Sequence, residues 1–105
     1  LIEQGGNMPT YILLTKLTPE LTKKVKDRAQ IGRAWLKQIK EKCPKVKFIA
    51  HYALLGPYDF LDIYEAPNEE DASKVAMISL ASGAVQSESW TAIPYKRFLE
   101  LTEEI

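Results

Sequence analysis

Lys45 to Ala66 reads Lys-Val-Lys-Phe-Ile-Ala-His-Tyr-Ala-Leu-Leu-Gly-Pro-Tyr-Asp-Phe-Leu-Asp-Ile-Tyr-Glu-Ala, and this stretch decides the fold. Its flanks are rich in β-branched, aromatic and leucine side chains, while Gly and Pro meet only at Gly56-Pro57-Tyr58-Asp59. That pattern is two strands folded back on each other across a turn. Pro57 suits the second turn position because its ring already holds φ where types I and II need it.

Upstream, Thr10 to Leu17 is short and apolar on both parities, Tyr11/Leu13/Thr15/Leu17 and Ile12/Leu14/Lys16, as in a strand covered on both sides. Thr18-Pro19-Glu20 then starts a helix with a capping hydroxyl, a proline at the first helical position and a carboxylate near the positive end. Leu21, Val25, Ala29, Gly32, Leu36 and Ile39 recur three or four apart, which predicts one helix with a single apolar stripe as far as Pro44. Downstream, Asn68 caps a second helix with Glu69, Glu70 and Asp71 in its first turn, and Gly83 ends it. Its buried face is drawn from Ala72, Val75, Ala76, Ile78 and Ser79. Ala84 to Ile93 reads as a last strand near a sheet edge, and Pro94 onward as a short terminal helix with Phe98 and Leu101 on one side.

The order β-α-β-β-α-β is the ferredoxin-like α+β pattern, a four-stranded antiparallel sheet with both helices on one face. Residues 1–7 read as a leader or cloning remnant without fixed structure, leaving one domain over 8–105. In a tight hairpin with Leu55 opposite Phe60, Phe48, Ala50, Tyr52 and Leu54 share a face with Leu61, Ile63 and Glu65, and this set is expected under the helices. The other face then carries Ile49, His51, Ala53 and Leu55 beside Phe60, Asp62 and Tyr64. A bulge at the turn would shift the register and exchange the sets. Apolar side chains on the side away from the helices predict pairing with a second copy about a two-fold axis.

Composition narrows the function. Fourteen Lys+Arg balance fourteen Asp+Glu in 105 residues, so no net field gathers nucleic acid or anionic membrane. No apolar run approaches the ~20 residues that cross a bilayer. One cysteine, Cys43, cannot close a disulfide within the chain, and the expected compartment is the cytoplasm. One His and one Cys at no ligand spacing predict neither a metal site nor a cofactor. The third strand, Phe60-Leu61-Asp62-Ile63-Tyr64-Glu65, is acidic where an RNA-binding sheet needs a basic-aromatic run.

Met8-Pro9-Thr10-Tyr11-Ile12-Leu13-Leu14-Thr15-Lys16-Leu17-Thr18-Pro19-Glu20, Tyr52-Ala53-Leu54-Leu55-Gly56-Pro57-Tyr58-Asp59-Phe60 and Glu65-Ala66-Pro67 resemble the GYD domain family, named for its glycine-tyrosine-aspartate turn. The resemblance runs from about Met8 to Ile93 and implies a ferredoxin-like protomer of the dimeric α/β-barrel superfamily, its sheet packed against a partner's. It implies little chemistry, since that superfamily spans cofactor-free oxygenases, isomerases, haem enzymes and ligand-sensing domains.

Three residues are candidate catalytic groups: His51, with Asp62 diagonal and Tyr64 opposite in the hairpin, and Tyr58 and Asp59 at the turn. A carboxylate beside an imidazole tunes a general base, and a phenol steadies a developing anion. The competing reading makes Gly56, Tyr58 and Asp59 turn chemistry and His51 a satisfied interface histidine. Tyr11, Tyr52, Tyr64 and Trp90, with Trp35, are candidates for lining an apolar ligand cavity, against the alternative of plain core. The chain is thus expected to be a homodimeric domain that binds a small, partly apolar molecule or serves in association. A cofactor-independent oxygenase or isomerase acting on an aromatic or enolisable compound is the alternative.

Overall fold

Thr10–Leu17 (β1), Lys47–Ala53 (β2), Phe60–Glu65 (β3) and Ala84–Ala92 (β4) form one antiparallel sheet in the order β2-β3-β1-β4 in the computed structural model, which describes residues 8–105. The reading of residues 1–7 as a leader lies outside the described residues. β1 is central, with Tyr11 opposite Tyr64 on one side and Thr91 on the other. The fold is α+β and ferredoxin-like.

The helices carry the caps that the sequence calls for. Thr18 Oγ1 accepts the Leu21 N–H at 3.3 Å at the head of Pro19–Lys23 (α1). Asn68 Oδ1 accepts the Asp71 N–H at 2.9 Å at the head of Glu69–Ala81 (α3). Gly83, at φ +116°, lets the chain leave α3 in a conformation that L side chains rarely adopt.

The first helix departs from expectation. It breaks at Lys24 into α1, a 3₁₀ turn over Val25–Asp27 and a second helix, Arg28–Lys42 (α2). Arg28 spans the break: its Nε and Nη2 donate, at 3.4 Å, to the carbonyls of Leu21 and Thr22 at the end of α1, where the helical ladder stops. The stripe therefore does not stay in register. Val25 is exposed, and in α2 only Ile39 is buried. Pro44 ends α2 as expected, with Cys43 buried at the cap.

The hairpin register is the second correction. The ladder pairs Ala53 with Phe60 and His51 with Asp62, leaving a six-residue loop over 54–59 in place of a two-residue turn. The bulge lies at Ile49, between the Phe48–Tyr64 and Ala50–Ile63 pairs, far from the turn. His51, Ala53, Phe60 and Asp62 do share a face, but Phe48 joins them across the bulge, and this set lies under the helices. Tyr64, Tyr11 and Leu13, on that same face, pack with Ile39, Ala72 and Val75, and Trp35 and Phe48 close the periphery. Ala50, Tyr52, Leu61, Ile63 and Glu65 face away, with Ile12, Leu14 and Trp90. The helix side thus accommodates a polar pair, because part of it opens into a cavity.

Candidate functional site

α2 does not close fully onto the sheet. Its inward positions Ala29 and Gly32 are too small to bridge the gap, and a Cβ placed on Gly32 would meet nothing within 4 Å. The result is a cavity of about 480 Å³ between α2, the helix side of the sheet and the end of α3. Its walls are Ile31, Trp35 and Leu36 from α2 and Phe48 and Phe60 from the sheet. The polar groups that reach it are few: Thr15, Ser79, Ser82, Arg28, Arg33 and the His51–Asp62 pair. Small-molecule sites are commonly of this size and character.

His51 Nδ1 is hydrogen-bonded to Asp62 Oδ1. The ring is bracketed by Phe60, with centroids 5.4 Å apart, and Trp35, at 6.4 Å. Trp35 is in turn oriented by its indole N–H, which donates to Ser79 Oγ at 2.9 Å, while Ser79 donates to the Val75 carbonyl at 3.0 Å. Asp62 is only 2% exposed. Burial pushes its carboxyl above the usual range, and the His51 charge and hydrogen bond oppose that shift. The pair is therefore built asymmetrically. A buried carboxylate fixes Nδ1 of a half-exposed imidazole and leaves Nε2 to accept a proton and, once protonated, to donate to an anion.

The other two candidate catalytic residues are elsewhere. The Asp59 carboxylate accepts the Leu17 N–H at 2.8 Å, its own N–H donates to the Thr15 carbonyl at 2.8 Å, and its carbonyl accepts from Leu54. Asp59 thus pins the 54–59 loop to the end of β1. The Tyr58 hydroxyl donates to Glu88 Oε2 at 2.7 Å, and Glu88 also accepts from the Trp90 indole and from Gln86. These bonds hold the Glu88 carboxyl below its ordinary value and push the Tyr58 phenol up. Glu88 pairs with Leu14 across the strands, so this network lies on the helix-free side. The structure therefore does not bring Tyr58 and Asp59 to His51.

The four aromatic candidates divide in the same way. Tyr11 and Tyr64 stack at 5.5 Å inside the core, and the Tyr64 hydroxyl meets Ser89 Oγ at 2.7 Å. Tyr52 and Trp90 are more than half exposed on the helix-free face. None of the four lines the cavity; its aromatic walls are Trp35, Phe48 and Phe60. Arg28 and Gly32 were missed as site residues. Ala29 and Gly32 three apart on an apolar stripe were the available sign of space beneath a helix.

A family model described as GYD domain matches residues 11–102. Over 91 residues the chain is 42% identical to a Thermus thermophilus protein described as a glutamine synthetase and cystathionine beta-lyase binding protein, a match covering 83% of this chain and 90% of that protein. Among solved structures, MtbAldR superposes with a TM-score of 0.59 at 20% identity over 83% of this chain, which spans about half of its length (54%). TTHA0845 from Thermus thermophilus superposes with a TM-score of 0.55 at 19% identity over 83% of this chain and 95% of that one. These two likenesses speak to the fold alone. The family match spans nearly all of the described chain and includes the Gly56-Pro57-Tyr58-Asp59 loop that ties β1 to the hairpin, and the chain belongs to the GYD domain family.

Proposed function

We propose that this protein is a binding module that takes a small, partly apolar molecule into the cavity beneath α2. It associates with a second copy of itself through the helix-free face of the sheet. The observation that carries this reading is the roughly 480 Å³ space with aromatic and aliphatic walls and one positioned imidazole. The helix-free face adds a second apolar surface, in which Ile12, Leu61 and Ile63 are half-buried and Tyr52 and Trp90 exposed. The relative named for binding two enzymes supports a wider role in association, with enzymes as protein partners in the cytoplasm. Native mass spectrometry of the purified protein tests the ligand reading. A co-purifying small molecule is expected on the wild type and absent from Gly32→Phe, whose side chain would fill the cavity. A wild type and variant of identical mass shift would overturn it.

The His51–Asp62 pair favours one further reading, a cofactor-free isomerase or oxygenase with His51 as base. It predicts proton exchange from an enolisable bound compound that is lost in His51→Gln, whereas a pure binding module shows none.

A further inference from the structure

The charges around the cavity define the class of molecule that fits, on the reading that the cavity is a ligand site. Four ionisable side chains reach it: Arg28, Arg33, His51 and Asp62. The one carboxylate is buried and engaged by His51 Nδ1, so it is not available to an occupant. Among the described residues neither Arg28 nor Arg33 has a carboxylate within ion-pair distance. Arg28 is half-buried at the start of α2, and its guanidinium lies 5.9 Å from the centroid of the Phe60 ring. Its Nε and Nη2 make only long bonds of 3.4 Å to backbone carbonyls, and among the described residues Nη1 has no hydrogen-bond partner. His51 stacks on the same Phe60 ring and offers Nε2. Arg33 sits further round α2, at the rim.

A guanidinium and an imidazole nitrogen thus flank one aromatic ring in an otherwise apolar slot. We infer that the cavity takes an organic anion, a carboxylate on an apolar or aromatic body, with the carboxylate on Arg28 and the body against Phe48, Phe60 and Trp35. A carboxylate satisfies the Arg28 guanidinium, whose donors a neutral molecule leaves partly desolvated. A cationic ligand is disfavoured by the two guanidinium groups.

Titration calorimetry of the full chain with three acids and their amides tests this: phenylacetate, 1-naphthylacetate and decanoate against phenylacetamide, 1-naphthylacetamide and decanamide. At least one acid should bind, with its amide about tenfold or more weaker, the ratio expected from one charge-assisted contact. Arg28→Gln should weaken the acid by about tenfold and leave the amide unchanged, with Arg28→Lys recovering part of the loss. Because Arg28 also holds the end of α1, the wild-type acid-to-amide ratio decides the matter if Arg28→Gln does not fold. Acid and amide binding equally, both lost in Gly32→Phe, would overturn the anion assignment and leave the cavity reading intact. No binding by any acid or amide would overturn both.

Discussion

Tyr64 shows how one side chain records its surroundings. It is fully buried, stacked on Tyr11 and tilted against Phe48, and its hydroxyl is placed by Ser89. Burial pushes its phenol up from 10.0 to about 12, against the opposing Ser89 bond. The unfolded chain ionises Tyr64 near the ordinary value and the folded chain only near the raised one. Stability from this group is therefore intact below about pH 10 and falls as pH rises through about 12. Each pH unit inside that window costs about 1.4 kcal/mol, or roughly 2–3 kcal/mol across it. Urea midpoints between pH 9 and 12 should fall more steeply for the wild type than for Tyr64→Phe. The variant should start about 1 kcal/mol lower for the lost hydroxyl bond. Parallel curves would remove Tyr64 as the source.

Turns and helix ends separate what the sequence expressed from what it concealed. The caps at Thr18, Asn68 and Gly83 were legible, because they act through bonds or backbone angles set within a few residues. The sheet topology was legible too, since the β-α-β-β-α-β order with right-handed crossovers leaves few arrangements. The side of the sheet that meets the helices was not, because both parities are apolar and the deciding feature is non-local. Small residues on α2 leave room for His51 and Asp62, and that room exists only once α2 stands over the sheet. Nor could the α1–α2 break be foreseen, since the apolar stripe continues through it and the Arg28 contacts across it form only once the helix is broken. Gly56 and Gly83 offer a direct contrast. Gly56 has no positive φ and nothing within 4 Å of an added Cβ, although it stands in the signature turn. Gly83 has φ +116°, and a Cβ there would lie 2.2 Å from Leu21 Cδ1. Gly56→Ala should be neutral or stabilising by up to about 1 kcal/mol, and Gly83→Ala should lose more than about 1 kcal/mol. Thermal melts of the two variants check the pair, and equal losses would mean that the 54–59 loop constrains Gly56 after all.

At the scale of the molecule, the shape itself asks for a partner. The described chain has a radius of gyration of 15.2 Å, against roughly 13 Å for a compact domain of this length. Tyr95–Thr102 (α4) makes few contacts with the other elements and leaves Tyr95, Phe98 and Leu99 exposed. Four strands about 4.8 Å apart and some 25 Å long present roughly 500 Å² of flat face in projection. A stable interface uses about 800 Å² from each partner. The apolar side of α4 is the nearest surface that could supply the difference, and Trp90 and Ile93 extend the exposed apolar surface toward it. A homodimer built on both surfaces makes two separable predictions by light scattering at micromolar concentration. Tyr52→Lys places a charge on an exposed position of the sheet face, on the edge strand β2, so it should give monomers without unfolding the protomer. Phe98→Glu with Leu99→Glu should weaken the dimer by tenfold or more and leave its sheet contact in place. A wild type that runs as a monomer at these concentrations would remove the interface. A dimer unaffected by Tyr52→Lys but lost in the α4 variant would move the interface from the sheet to the terminal helix.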